Sequence, residues 1–247
     1  MANFFENFPL LGYKFGNEAL PSVFQNLTTY IAIVDDIKGN TDFYATGYIR
    51  DGERPDTLSY NIYGTTEYYW TFYFLNDDIR ESGWPLTEAE ILPRAKMDYP
   101  NYVFTTKGDI TTRFLTGQTI TGLSTGSTGT IVKKNPDLGQ IVVRTNDTFN
   151  NTEQVYAADE TGQVITLTNV VEQYNAVHHY EDADGNVVDI NPYTFNPSAS
   201  SLIPITNLDR MRSRNEELKT IEVFKPEVVT QIVSEFNKLL RLENNAR

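Results

Sequence analysis

Apolar and polar positions follow different rhythms along the chain, and each rhythm predicts its own kind of element. Residues 29–34, Thr-Tyr-Ile-Ala-Ile-Val, are rich in β-branched types and predict a buried strand, with a turn over the Asp, Gly and Asn of 35–40. Phe43 to Ile49 predicts a second strand. Gly52 and Pro55 then mark a loop, because Gly accepts unusual backbone angles and Pro cannot continue a ladder or a helix interior. Asp56 and Thr57 offer acceptors to the free amides of a short helix reaching Tyr63, and Gly64 stops it. Thr65 or Thr66 caps the next helix, Glu67 sits at its positive end, and Tyr68 to Leu75 carries it to Asn76. That run is apolar on nearly every face, so protein must surround it and Trp70 is expected to be fully buried.

From Thr105 to about Val171 the chain turns to Thr, Gly, Asn and Val, with turn signals every few residues. Strands are predicted at 114–121, 129–133, 139–144 and 163–168, the spacing of a small sandwich or barrel. Residues 175–181 and 186–190 flank Asp182-Ala-Asp-Gly185 as a hairpin, and 191–204 reads as an extended excursion rich in Pro, Ser and Asn. Residues 207–219 carry interleaved charges in a helix. Pro226 opens another, in which Val228, Ile232, Phe236 and Leu239 or Leu240 repeat at four-residue spacing and form one apolar stripe that needs a surface to lie on.

Composition narrows the chemistry. With 20 Lys and Arg against 33 Asp and Glu the net charge is −13, a field that repels phosphate backbones and anionic membranes. Neither nucleic acid nor a membrane is therefore an expected partner. No stretch approaches the roughly 18 apolar residues that span a bilayer, and the opening residues, with Glu6 and no early Lys or Arg, do not read as a secretory leader. The absence of Cys removes disulfides, thiolate metal sites and cysteine nucleophiles. Fourteen Phe and 15 Tyr exceed what one modest core absorbs, and such aromatics belong in protein interfaces.

Candidate chemistry is sparse. His178 and His179, adjacent on a strand, are expected to point to opposite faces, which keeps them from holding one metal together. Asp182 to Asn186 resembles the start of a calcium loop, but the twelfth position is Tyr193 in place of Glu, so a hairpin turn is the better reading. No hydrolase, zinc-protease, nucleotide or dinucleotide motif is present. We expect no enzyme, no cofactor and no metal.

Arg54-Pro-Asp-Thr-Leu-Ser-Tyr-Asn-Ile-Tyr-Gly64, Tyr69-Trp70, Leu75-Asn-Asp77 and Trp84-Pro-Leu86 resemble the small baseplate wedge subunit of T-even-like contractile-tailed bacteriophages. His178-His-Tyr-Glu181, Asp184-Gly185 and the stretch from Asn215-Glu216 to Ile221-Glu-Val223 fit the same family, so that the resemblance covers about residues 28–100 and 172–242. The Asp-Thr-Leu, Tyr-Gly and Leu-Asn pattern is also similar to the LysM fold, a strand–helix–helix–strand unit that binds peptidoglycan in other proteins.

The resemblance implies an α+β fold. It comprises an N-terminal segment and LysM-like domain over 1–105, an inserted all-β module over 106–171, and a hairpin with a C-terminal amphipathic helix over 172–247. It implies a structural virion protein of the tail baseplate, assembled in the host cytoplasm, that links neighbouring wedges. Its partners would be other wedge proteins, namely the helical core bundle and the sheath-initiating tail-lysozyme-like subunit. Candidate interface residues are Tyr60, Tyr63, Tyr69, Trp84, Val228, Ile232, Phe236 and Leu240. The alternative is a peptidoglycan-binding LysM-type module of a cell-wall-associated protein.

Overall fold

The computed structural model describes residues 10–17, 19–25, 41–157 and 164–245, without the side chains of Thr41 and of 240–245. The fold is α+β, in two units: Met1–Thr87 with Asn215–Arg247, and Glu88–Arg214. The strand and turn expected over 29–40 lie outside the described residues. The first unit opens with an antiparallel hairpin of β1 (Leu10–Tyr13) and β2 (Ser22–Gln25), in which Leu11 faces Phe24 across the pair. β3 (Tyr44–Tyr48) follows.

Helix α1 (Pro55–Tyr63) starts before the expected Asp56 and takes no side-chain cap. Pro fits the first helical position, where its missing N–H would have no partner anyway. Gly64, at φ 72°, ends the helix and donates its N–H to the Tyr60 carbonyl. The next helix is shorter than the apolar run suggested. Residues 67–69 form a turn, the Tyr68 carbonyl accepts from both the N–H and Oγ1 of Thr71, and α2 (Trp70–Leu75) begins only there. The chain breaks at Asn76 and re-forms as α3 (Asp77–Ser82). Phe72 and Phe74 are fully buried, whereas Trp70 is only half-buried, which corrects the expectation for it.

The second unit begins with α4 (Glu88–Asp98) and builds a closed barrel from six strands. These are β4 (Tyr102–Thr106), β5 (Thr119–Gly122), β6 (Thr128–Asn135), β7 (Gln140–Arg144), β8 (Gln154–Ala157) and β9 (Ile165–Glu172), in the order β4-β7-β6-β5-β8-β9. Phe104, Ile120, Ile131, Ile141, Val143, Val155 and Leu167 fill its interior. Val103 and Val142 point the other way and are covered by Ala176 and Val171, so β7 is apolar on both faces. The strand expected from 114 starts only at Thr119. Phe114, at φ 56°, instead tucks its ring into the barrel core, and its loop is tied down by Lys134, whose Nζ donates to the carbonyls of Ile110, Thr111 and Arg113.

After the barrel, β10 (Val177–Glu181), β11 (Val187–Val188) and β12 (Ile203–Thr206) form a sheet in the order β11-β10-β12. The excursion read over 191–204 therefore ends in a strand. A bulge between Val177 and His179 overturns the expectation of opposed histidines: it places Nδ1 of His178 2.9 Å from Nδ1 of His179, whose Nε2 lies 2.9 Å from Glu181 Oε1. No group of three or more metal-binding side chains occurs among the described residues. Asp182 accepts from the N–H groups of Asp184 and Asn186, as a hairpin turn requires. Helix α5 (Asn207–Leu218) carries Arg210, Arg212 and Arg214, and Arg212 pairs with Glu88 at 3.1 Å.

The chain then completes the first unit. β13 (Thr220–Phe224) pairs antiparallel with β3 along its whole length, Phe224 opposite Tyr44, and α6 (Pro226–Asn245) follows. No described helix is long and apolar enough to cross a membrane.

One buried acid fastens the barrel. Glu153 is 3% exposed, and its Oε1 accepts from the N–H and hydroxyl of both Ser124 and Thr125, while Oε2 accepts from the N–H of Asn150. Burial alone would raise its pKa, but these donors outweigh burial and hold the carboxyl below its ordinary value of 4.5. Gly122 is required beside it, since a Cβ there would meet Oε1 at 2.5 Å. Because the folded state lowers this pKa, the stabilisation is present above the unfolded value and is lost as pH falls through the folded one. Glu153→Gln, which removes the charge that five donors face and sets an NH2 against at least one of them, is expected to cost about 2–3 kcal/mol. Thermal melting from pH 7 to pH 3 checks this: the wild-type advantage should shrink with acidification.

Candidate protein-interaction surface

The strand–helix–helix portion of the first unit is held to the returning strand by side chains that imitate backbone. Asn76, in the break between α2 and α3, accepts from the N–H of Glu222 at 2.8 Å and donates to its carbonyl at 2.8 Å. Asn215 does the same for Leu86, accepting at 2.7 Å and donating at 2.9 Å. Each amide supplies one donor and one acceptor side by side, the pair that an unpaired backbone residue needs. Tyr63 donates its hydroxyl to the Phe224 carbonyl at 3.1 Å, and burial pushes its pKa up to about 12. Trp84 donates Nε1 to the Glu53 carbonyl at 2.7 Å.

These bonds close over two apolar clusters. Phe74, Leu75, Phe224, Val229, Ile232 and Phe236 form one, with Trp70 half-buried against it at 4.9 Å from the Phe236 ring. Ile49, Leu58, Phe72, Ile79, Leu218, Ile221 and Val223 form the other, flanked by Tyr63 and Trp84.

The eight candidate interface residues separate accordingly. Ile232 and Phe236 lie inside the unit's own core, Val228 packs at its edge, and Tyr63 and Trp84 are half-buried with hydrogen-bonded polar ends. The side chain of Leu240 lies outside the described residues. Tyr60, 61% exposed, and Tyr69 face solvent. Among the described residues, the buried Ile232 and Phe236 do not share a surface with the exposed Tyr60 and Tyr69.

One run of exposed apolar side chains in this unit was not singled out from the sequence. Leu10, Leu11, Tyr13, Phe15, Leu20, Val23 and Phe24 are all exposed on or beside the β1–β2 hairpin, Leu20 by 79%. Phe15 stacks edge-on against Tyr13 at 4.9 Å and Phe24 at 5.7 Å, and Leu11 pairs across from Phe24, so that three rings and one leucine make one apolar face. The signal was the alternation Leu-Gly-Tyr against Ser-Val-Phe, which is too short to stand out among mixed neighbours. Contiguous apolar patches are a common feature of protein contact sites.

Asn215→Ala is expected to leave the N–H and carbonyl of Leu86 without partners, at a cost of about 1–3 kcal/mol. Asn215→Asp, which sets a carboxylate against that carbonyl, should cost more. Urea unfolding of the two variants checks the order, and equal losses would contradict the two-bond reading.

The family described as Base plate wedge protein 53 matches residues 14–98, about a third of the chain. The match takes in β2, β3 and α1 to α4, and it leaves out the barrel, β13 and α6. No curated protein matches the chain. Residues 14–98 thus match the base plate wedge protein 53 family, as Arg54 to Gly64 and Trp84 to Leu86 led us to expect, and the match supports a structural role in the phage baseplate, that of a wedge subunit.

Proposed function

We propose that the chain links neighbouring wedges of the tail baseplate, with the β1–β2 hairpin and the exposed Tyr60 and Tyr69 as its contact surface. The observation that carries this reading is the exposed aromatic face of the hairpin, which falls partly inside the family match. A two-stranded hairpin alone is marginal in water, and one with seven exposed large apolar side chains gains stability when another protein covers it. The partners are other baseplate proteins, among them the helical core bundle and the sheath-initiating tail-lysozyme-like subunit, and assembly takes place in the host cytoplasm. In the first unit, β3, α1, α2 and β13 run strand–helix–helix–strand around a two-stranded antiparallel sheet, which supports a LysM-like unit turned from wall binding to protein contact.

Leu11→Asp with Phe24→Asp should leave circular dichroism and melting of the subunit nearly unchanged, because both side chains are exposed. Co-sedimentation with wedge proteins should be lost. Normal co-sedimentation of the double variant would remove the hairpin from the contact, and strong retention of the wild-type chain on insoluble peptidoglycan would favour the wall-binding alternative.

A further inference from the structure

A cavity of about 320 Å³ lies within the second unit, between the outside of the barrel and the segment that follows β11. It belongs with ligand pockets, at the small end of their roughly 300–1,000 Å³ range. Its wall includes Tyr180 and Phe195, whose rings meet edge-on at 4.8 Å. Asn169 and Asn175 also line it, and neither side chain makes a hydrogen bond among the described residues.

Two groups define what this cavity can take. Lys107 is the only charged residue lining it, in a chain where acids outnumber bases 33 to 20, and Lys107 has no ion-pair partner among the described residues. Gln140 is 8% exposed and gives its Nε2 to the Val177 carbonyl at 2.9 Å. Only the amide nitrogen can donate to that carbonyl, so Oε1 is fixed as a buried acceptor, with no donor among the described residues. An unsatisfied buried acceptor of this kind calls for a ligand N–H or water. Lys107 and Gln140 are held close in the fold, since Thr105 pairs with Gln140 in register and Thr106 donates its N–H to Gly139 at 2.9 Å.

The site therefore asks for an anion, an adjacent N–H and an apolar body. A phosphate lacks the apolar body, and a neutral sugar lacks the charge. The last residue of a polypeptide has all three, with carboxylate, N–H and side chain on one carbon. We propose that this cavity binds the C-terminal residue of a polypeptide with an apolar or aromatic side chain: the carboxylate at Lys107, the N–H at Gln140 Oε1 and the side chain against Tyr180 and Phe195. The cavity lies wholly outside residues 14–98, so this inference does not depend on the wedge reading.

Titration of the full ¹⁵N-labelled chain with N-acetylphenylalanine, followed by NMR, tests it. Saturable shifts are expected at residues 105–107, 140, 180 and 195. N-acetylphenylalaninamide, which keeps the N–H and the ring but loses the charge, should bind about tenfold more weakly. Lys107→Met should weaken binding of the acid by a similar factor while leaving the amide unchanged, and Lys107→Arg should retain it. Lys107 is exposed, so these variants should fold, which the unchanged remainder of each spectrum verifies. Equal binding of acid and amide, an unaffected Lys107→Met variant, no saturable shifts, or preferential binding of N-acetylglucosamine would each overturn the proposal.

Discussion

The first unit depends on the pairing of β3 with β13, strands separated by the entire second unit in sequence. All five residues of β3 pair with β13, and the Ile49 N–H extends the ladder to the Lys219 carbonyl at 2.8 Å. Two strands alone would not hold. The Asn76 and Tyr63 bonds to β13 therefore matter as much as the ladder, because they tie both helices to the same strand. Closing a longer loop costs only about 0.6 kcal/mol per doubling of its length, which is why a chain can place a folded barrel between the two halves of a small unit without losing it.

That arrangement divides the aromatic residues between two tasks. Phe72, Phe74, Phe224 and Phe236 are consumed by the core, because a small two-stranded sheet offers little apolar area and its helices must supply the rest. Tyr13, Phe15 and Phe24 remain outside, on a hairpin that pairs with no other strand among the described residues. In a chain of net charge −13 this hairpin segment, with Lys14 and Glu18 as its charged residues, is locally near neutral. Contact there is accordingly governed by apolar burial, and the acidic remainder keeps the subunit from associating indiscriminately.

The sequence by itself determined the elements whose cause is local. Pro55 and Gly64 bracket a helix because one cannot use an N–H and the other tolerates φ of 72°. The strands Ile131 to Lys133 and Ile141 to Arg144 follow from β-branched runs that each come just after a glycine, and the wedge family was legible in Arg54 to Gly64 because those spacings are contiguous. The tertiary structure decided whatever rests on partners distant in the chain. Trp70 stays half-buried because α2 begins only after a turn held by Tyr68 and Thr71. His178 and His179 meet because a bulge imposed by pairing with β12 breaks the two-residue alternation. Phe114 leaves its expected strand to fill the barrel. Asn76, Asn215, Glu153 and Gln140 look like ordinary polar residues in sequence. They acquire their roles only where folding brings a backbone segment with open donors and acceptors against them, since the energy of a buried hydrogen bond depends on a partner the local sequence does not contain.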